Sequence, residues 1–161
     1  PTPESMAQTL LDTPIGPITV QTTELGLSRV WFGDLREAEH QESVRSKGHL
    51  RDAVTQLTEY FDRGRDSFDL ELDRRDRRGF RGEVLDVLER VPFGETVTYG
   101  QLATRAGRPR AARAVGTAMA TNPIAIVVPC HRVVPSGGGT GRFGGGTPAK
   151  EWLLRREGAL D

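Results

Sequence analysis

The first half of the chain carries hydrophobic and polar patterns typical of a small sheet. Residues 18–23 are rich in β-branched side chains and predict a strand. Residues 27–32 predict a second strand, joined to the first by a turn at residues 24–26. Residues 67–73 alternate between polar and apolar side chains, which predicts a third strand beside this hairpin.

An amphipathic helix is predicted between the hairpin and the third strand. Apolar side chains recur there every three or four positions, at Leu50, Val54, Leu57 and Phe61, and Gly64 ends the pattern. With the strands, this helix makes the first half a small α/β unit.

The second half has the pattern of short helices separated by glycine and proline. An apolar stripe predicts a helix over residues 80–88, and Thr98 can cap a second helix that ends at Arg105. A third helix, rich in Ala and Gly, is predicted over residues 110–120. Two short helices joined by a Gly/Pro turn are a candidate helix-turn-helix. A last helix is predicted from residue 148 to about residue 157.

The predicted fold class is α+β with two domains. Residues 1–73 form an N-terminal α/β domain with a small antiparallel sheet. Residues 77–161 form a mainly helical C-terminal domain with winged-helix and helix-turn-helix character, and the basic stretch at 74–79 is a linker. Residues 124–128 are an apolar run, interpreted as a buried strand that leads to Cys130.

The zero net charge of the chain conceals an asymmetry between its halves. Residues 1–76 hold 9 Lys/Arg and 15 Asp/Glu, a net charge of −6, whereas residues 77–161 hold 13 and 7, a net charge of +6. A basic half can meet an anion such as nucleic acid, although chance imbalance between two solvated surfaces is the simpler alternative.

Composition excludes several classes of protein. No apolar run approaches the roughly 20 residues that span a bilayer, and no signal-peptide pattern opens the chain, so we expect a cytoplasmic protein without a membrane partner. The single cysteine cannot form an intramolecular disulfide or a cysteine-rich zinc site, and no metal is expected.

Cys130 is the residue with the most distinctive chemistry. A free cysteine is often a small core hydrophobe. Here His131 offers a base next to it, and basic neighbours would stabilise the thiolate, which is the reactive form of cysteine.

Several motifs in order make the chain, from about Phe80 onward, resemble the O6-alkylguanine-DNA alkyltransferase family. They are Pro92-Phe93-Gly94-Glu95-Thr96-Val97-Thr98-Tyr99-Gly100-Gln101-Leu102-Ala103, Ala111-Ala112-Arg113-Ala114-Val115-Gly116, Asn122-Pro123, Val128-Pro129-Cys130-His131-Arg132-Val133 and Lys150-Glu151-Trp152-Leu153-Leu154. The N-terminal half matches more weakly, and the resemblance implies a ribonuclease H-like domain there.

The resemblance implies catalytic roles for five residues. Cys130 is the alkyl acceptor, His131 reaches its sulfur through a water, and Glu157 orients the imidazole. Asn122 steadies the turns around the site, and Tyr99 donates a proton to the departing guanine. Without the resemblance, Glu157 would be interpreted as a solvated helix-end charge and Tyr99 as a core residue.

The resemblance also implies a DNA-binding surface and an alkyl pocket. Arg113 fills the gap left by a flipped nucleotide, on a helix that the small residues Ala112 and Gly116 allow to approach DNA. Arg105 and Arg110 are expected to contact phosphates. The expected pocket residues are Val133, Phe143, Gly144, Gly145 and Lys150, although a solvated lysine is the alternative for Lys150 and helix packing for the small residues.

The implied function is the repair of double-stranded DNA that carries O6-alkylguanine, with O4-alkylthymine as a further possible substrate. Cys130 would accept the alkyl group once after base flipping, in a suicidal methylated-DNA–protein-cysteine methyltransferase that is monomeric and needs no cofactor. The alternatives are a non-catalytic damage sensor, a cysteine hydrolase and a helix-turn-helix regulator. Relatives that only sense damage lack the acceptor cysteine.

Overall fold

The computed structural model describes residues 5–38 and 40–161. Contacts divide the chain into two compact units, Pro1–Arg74 and Arg75–Asp161. The α+β fold class predicted from the sequence is confirmed, with an antiparallel sheet in the first unit and short helices in the second. In the described ranges, no helix combines the length and the apolar character that a bilayer crossing requires.

The first unit contains a three-stranded antiparallel sheet in the order β1-β2-β3. Its strands are β1 (Met6–Leu11), β2 (Ile18–Thr23) and β3 (Gly26–Phe32). The predicted hairpin is therefore confirmed. The first strand was not predicted, because the apolar and polar residues of its sequence, MAQTLL, do not alternate. Ala7 is its only buried residue.

The helix α1 (Val44–Phe61) packs on this sheet and buries Ala53, Leu57 and Tyr60 completely. It begins before the apolar stripe, because Ser43 caps it and exchanges hydrogen bonds with Ser46 in a capping box. Apolar spacing could not predict this early start, because the polar side chains of Ser43 and Ser46 stabilise the first turn.

The predicted third strand at residues 67–73 is wrong. This segment lies beside β3 but forms a single bridge, between Leu72 and Leu27. The N–H of Leu27 donates to the oxygen of Glu71 at 2.8 Å, and the N–H of Asp73 donates to the oxygen of Leu27 at 2.8 Å. A pairing this short does not continue into a ladder. The alternating pattern reflects the burial of Leu72 and the half-burial of Phe68 and Leu70.

The second unit is mainly helical, as predicted. Its elements are α2 (Gly79–Leu88), β4 (Val97–Thr98), α3 (Tyr99–Arg105), α4 (Ala112–Ala120), a 3-10 turn (Cys130–Arg132), β5 (Val133–Val134) and α5 (Thr147–Arg156). Two short strands, β4 and β5, pair in parallel and were not predicted. They bring the start of α3 next to the chain that follows the 3-10 turn.

The two helices of the candidate helix-turn-helix are present with small corrections. Thr98 caps α3 as predicted, and its side chain accepts a hydrogen bond from the N–H of Gln101. The following helix begins at Ala112 and not at Arg110, which is exposed in the preceding turn.

Residues 124–128 do not form the predicted strand. They are buried as expected, except that Val127 is half-buried, but they fold as turns in which Ile126 has a positive φ of 75°. The N–H of Val128 donates to the oxygen of Ile124 at 2.9 Å, which closes one turn. Prolines at 123 and 129 bracket the segment and disfavour a continuous ladder.

Candidate active site

Cys130 begins the 3-10 turn and lies on the wall of a cavity of about 810 Å³. Only 5% of its surface is exposed, and this exposure is directed to a cavity that Tyr99 and Arg113 also line. The cysteine is thus buried without being enclosed by aliphatic side chains, which is unlike a cysteine that serves only as core packing.

Asn122 holds together the turns that lead to the cysteine. Its side-chain amide donates to the oxygen of Val128 at 2.9 Å, and its side-chain oxygen accepts from the N–H of Ile124 at 3.1 Å. Asn122 is 1% exposed. Both of these contacts lie inside the segment between α4 and Cys130, so the amide braces the turns that lead to the cysteine.

His131 and Glu157 form a buried pair. The Nε2 atom of His131 lies 2.8 Å from Oε2 of Glu157, and neither side chain is exposed. Glu157 is the C-cap residue of α5, so this helix brings the carboxylate to the 3-10 turn. The alternative interpretation of Glu157 as a solvated helix-end charge is therefore wrong.

Arg132 is a member of this cluster to which sequence analysis assigned no role. Its Nε donates to Oε1 of Glu157 at 2.8 Å and its Nη2 donates to Oε2 at 3.0 Å, while Nη1 donates to the oxygen of Val91 at 2.7 Å. Arg132 belongs to the motif around Cys130, but nothing in the sequence pairs it with Glu157, a carboxylate 25 positions away.

Burial controls the ionisation of the cysteine and the histidine. It raises the pKa of the Cys130 thiol, and this effect outweighs the hydrogen bond from Asn122 and the charge of Lys150, which act in the opposite direction. Burial also lowers the pKa of His131, against the opposing effect of Glu157. The expectation that basic neighbours stabilise a thiolate is thus corrected: both groups rest in their neutral forms, because desolvation disfavours charge.

Glu157 behaves differently from these two neutral groups. Its burial would raise the carboxyl pKa, but the hydrogen bonds and charges of His131 and Arg132 together hold that pKa well below its usual range. Glu157 is therefore an ionised hydrogen-bond acceptor in the folded protein.

Lys150 is fully buried, so its interpretation as a solvated lysine is wrong. Its ammonium donates to the oxygen of Val133 at 2.6 Å and to the oxygen of Arg142 at 3.3 Å. Burial lowers the pKa of Lys150 to about 8, although its electrostatic interaction with Cys130 opposes that shift. The lysine thus ties the loop before α5 to β5 and lies within electrostatic range of the sulfur.

Tyr99 stands at the start of α3, half-buried, and lines the cavity. Burial raises its phenol pKa. The phenol is close to the glycine-rich loop at residues 137–146, since a Cβ atom on Gly141 would lie 3.5 Å from the phenol oxygen. A protonated hydroxyl therefore lies on the cavity wall.

The expected pocket residues divide into two groups. Phe143 and Gly144 line the cavity, whereas Val133, Gly145 and Lys150 are not among its lining residues in the described ranges. Val133 was expected beside the alkyl group, but its side chain is fully buried in β5. Gly141 and Arg142, which precede Phe143 in the expected pocket loop, also line the cavity. Four other lining residues were not predicted from the sequence: Thr117, Met119, Ala120 and Pro135.

The expected DNA-binding residues all lie outside the core. Arg113 and Gly116 of α4 line the cavity, and Ala112, Arg105 and Arg110 are exposed. Within residues 5–38 and 40–161, the side chains of Arg105, Arg110 and Arg113 have no hydrogen-bond or ion-pair partner. These guanidinium groups are consequently available to an anionic ligand.

No group of three or more His, Cys, Asp or Glu side chains in the described parts of the chain could hold a metal ion. The cavity wall carries a thiol, a phenol and two guanidinium groups, those of Cys130, Tyr99, Arg113 and Arg142.

Two family models together match most of the chain. The ribonuclease-like domain of 6-O-methylguanine DNA methyltransferase matches residues 6–74, and its DNA binding domain matches residues 79–159. The chain belongs to the 6-O-methylguanine DNA methyltransferase family. The resemblance noted in the sequence is thereby confirmed.

Relatives in this family match over nearly the full length of the chain. The methylated-DNA–protein-cysteine methyltransferase of Methanosarcina barkeri is 40% identical over 150 residues, which cover 92% of this chain and 94% of that protein. The protein of that name from Mycobacterium bovis is 40% identical over 148 residues, which cover 91% of this chain and 89% of that protein.

Solved structures of the family show the same fold. The O6-methylguanine methyltransferase of Mycobacterium tuberculosis aligns with a TM-score of 0.79 at 37% identity, covering 97% of this chain and 94% of that one. The structure of the M. tuberculosis OGT in complex with DNA aligns with a TM-score of 0.82 at 38% identity, covering 93% of this chain and 91% of that one.

Proposed function

We propose that this protein repairs DNA by moving the alkyl group of O6-alkylguanine onto Cys130, once per protein molecule. The observation that carries the proposal is the position of Cys130, on the wall of a cavity lined by Tyr99 and Arg113 and next to the His131–Glu157 pair. Family membership and the DNA complex of a 38% identical relative support DNA as the partner.

The proposed chemistry begins with the removal of the thiol proton. His131 accepts it at Nδ1 through a water, and the sulfur attacks the alkyl carbon in line. One S–C bond forms and one O6–C bond breaks, with the electron pair of the broken bond remaining on the guanine. Tyr99 donates its phenolic proton to the base, because guanine leaves poorly as an anion. Return of the proton from His131 to Tyr99 through solvent leaves a thioether and an unmodified guanine.

The alkylated base must leave the duplex before this reaction, because its O6 atom is otherwise stacked between neighbouring bases. Arg113 projects from α4 beside the cavity and is proposed to fill the gap in the duplex. Ala112 and Gly116 allow this helix to approach the minor groove closely, and Arg105 and Arg110 are proposed phosphate contacts.

Single turnover follows from the thioether product. Such a bond has no good leaving group, and the chain has no second thiol to remove the alkyl group. The protein needs no cofactor for this reaction and is proposed to act as a cytoplasmic monomer.

Incubation with duplex DNA that carries O6-methylguanine, followed by intact-mass measurement, tests the proposal. We expect a methyl-sized gain on Cys130, in an amount equal to the active protein, and no gain for Cys130→Ser. An unchanged mass with restored DNA and sustained turnover would favour a hydrolase, and an unchanged mass with bound DNA would favour a sensor or regulator. The same assay with O4-methylthymine tests the second substrate.

Bulky alkyl groups are proposed as substrates as well. Phe143 can stack on a base but offers no hydroxyl, and Gly144 brings no side chain into the cavity. Transfer rates for benzyl and methyl adducts on the same DNA sequence test this proposal, and a strong preference for methyl would refute it.

A further inference from the structure

The buried guanidinium of Arg132 has a geometry that the proposed chemistry leaves unused. Arg132 is 7% exposed, and two of its nitrogens bind the two oxygens of Glu157 at 2.8 and 3.0 Å. Its third contact is with the backbone oxygen of Val91. A planar guanidinium held at three points fixes the plane of the carboxylate that it binds.

The orientation of this carboxylate determines the tautomer of His131. Oε2 of Glu157 accepts from Arg132 and also lies 2.8 Å from Nε2 of His131. Because an ionised carboxylate can only accept hydrogen bonds, Nε2 must carry a hydrogen, and in the neutral ring Nδ1 then carries the lone pair. In the described part of the chain, Nδ1 of His131 is a buried polar atom without a hydrogen-bond partner.

We propose that Arg132 is a positioning residue that acts on His131 through Glu157. It fixes the carboxylate against Nε2 and balances its charge, so that His131 rests neutral with its lone pair on Nδ1. This inference rests on the proposed alkyl transfer, in which Nδ1 receives the thiol proton.

Charge balance matters because the cluster is buried. An unbalanced carboxylate stabilises an imidazolium beside it and therefore raises the pKa of His131. The charged groups that act on His131 are Glu157, which favours the imidazolium, and Arg132 and Lys150, which oppose it. Burial is the largest effect on the His131 pKa, and Arg132 adds to it against Glu157, so the histidine remains available as a base.

Nitrogen NMR of His131 tests this proposal without reference to activity. In the wild type we expect a neutral ring at neutral pH, protonated at Nε2. In Arg132→Met the His131 pKa should rise by about one unit or more, because Glu157 loses its balancing charge. The double variant Arg132→Met/Glu157→Gln, which removes both charges, should restore the low pKa. Arg155→Met changes an exposed arginine on α5 and is the matched control.

The pH profile of transfer to Cys130 is the second measurement. Arg132→Met should shift the acid limb of the pH–rate profile to higher pH and slow transfer roughly tenfold at neutral pH. The affinity for DNA should stay unchanged. Arg132→Lys keeps the charge but loses the two-point contact, so we expect a low His131 pKa with a smaller loss of rate. These two measurements separate charge balance from simple loss of packing.

An unchanged His131 tautomer, pKa and transfer profile in Arg132→Met would overturn the proposal. If Arg132→Met does not fold, the His131 pKa in Arg132→Lys and in the double variant tests the proposal instead. A raised His131 pKa in the double variant would count against charge balance. Failure of the wild type to alkylate Cys130 would instead refute the proposed function, whatever the tautomer.

Discussion

Tyr99 holds a phenol whose proton is retained at neutral pH, because burial raises its pKa. A group that must donate a proton to guanine benefits from this environment, because a phenolate could not act as the acid. We predict that Tyr99→Phe slows alkyl transfer by about a hundredfold while the folded structure is retained.

Rapid-quench transfer kinetics with a methylated duplex measure this effect, and DNA affinity serves as the internal control. A loss of affinity large enough to account for the slower rate would assign Tyr99 to binding. An unchanged rate would remove the phenol from the proposed proton path.

His131 predicts a pH dependence of stability. Burial lowers its folded-state pKa below the unfolded value of about 6.5, so the unfolded chain takes up the proton first as the pH falls. The stability associated with the neutral ring is complete above that unfolded value and is lost below it. We expect the free energy of unfolding to fall between pH 7 and pH 5, by at most about 1.4 kcal/mol per pH unit for this group.

Urea titrations at a series of pH values measure the slope of the unfolding free energy against pH, with His131→Gln as the comparison. Glutamine can still donate to Glu157 but does not titrate, so its slope over the same range should be smaller. Equal slopes in the two proteins would show that other groups dominate the acid sensitivity.

Sequence motifs could identify the reactive residues but not their surroundings. The Cys130-His131 pair and its place in a family motif are visible in the chain, whereas the burial of Glu157 and Lys150 depends on where α5 packs. The same helix end could be solvated in another fold. The role of Arg132 could not be predicted for the same reason, since its partner is distant in sequence.

At the scale of elements, Gly26 allows an unusually close backbone contact. A Cβ atom there would lie 2.4 Å from the oxygen of Glu71, and the residue has a φ of 140°. The contact joins β3 to the segment around Leu72. We predict that Gly26→Ala destabilises the first unit by at least about 2 kcal/mol, from the strained backbone and the overlap together.

Gly33→Ala is the matched control for this prediction, because Gly33 also has a positive φ but a Cβ atom there would have no neighbour within 4 Å. It should cost only about 1 kcal/mol, from backbone strain. Chemical denaturation of the intact chain compares the two variants. Equal losses of unfolding free energy in the two variants would show that the overlap with Glu71 relaxes without an energetic cost.

Local signals explain which elements could be predicted. The apolar stripe of α1 and the Thr98 cap of α3 are encoded within a few residues, and both helices form as expected. Strands need partners elsewhere in the chain, so β1 was missed and residues 124–128 were misassigned. In that segment the amide of Asn122 satisfies backbone groups that a strand neighbour would otherwise bind.

For the whole molecule, the charge asymmetry predicts which half responds to salt. Residues 77–161 carry the net charge of +6 and include Arg105, Arg110 and Arg113, whose side chains have no partner in the described ranges. Cations that neutralise phosphates release counterions, so affinity for DNA falls steeply as salt concentration rises. Residues 1–76, with a net charge of −6, should contribute little to that dependence.

We therefore predict that Arg105→Gln or Arg110→Gln each lowers the slope of log affinity against log salt concentration by about one, with a similar loss for undamaged and alkylated duplexes. Arg51→Gln removes an exposed arginine from the acidic half and should leave the slope unchanged. Fluorescence anisotropy over a range of salt concentrations measures all three variants. Because a phosphate contact carries no information about the lesion, a loss confined to alkylated DNA would assign the arginine to lesion recognition, and an equal effect of Arg51→Gln would place part of the DNA-binding surface in the first unit.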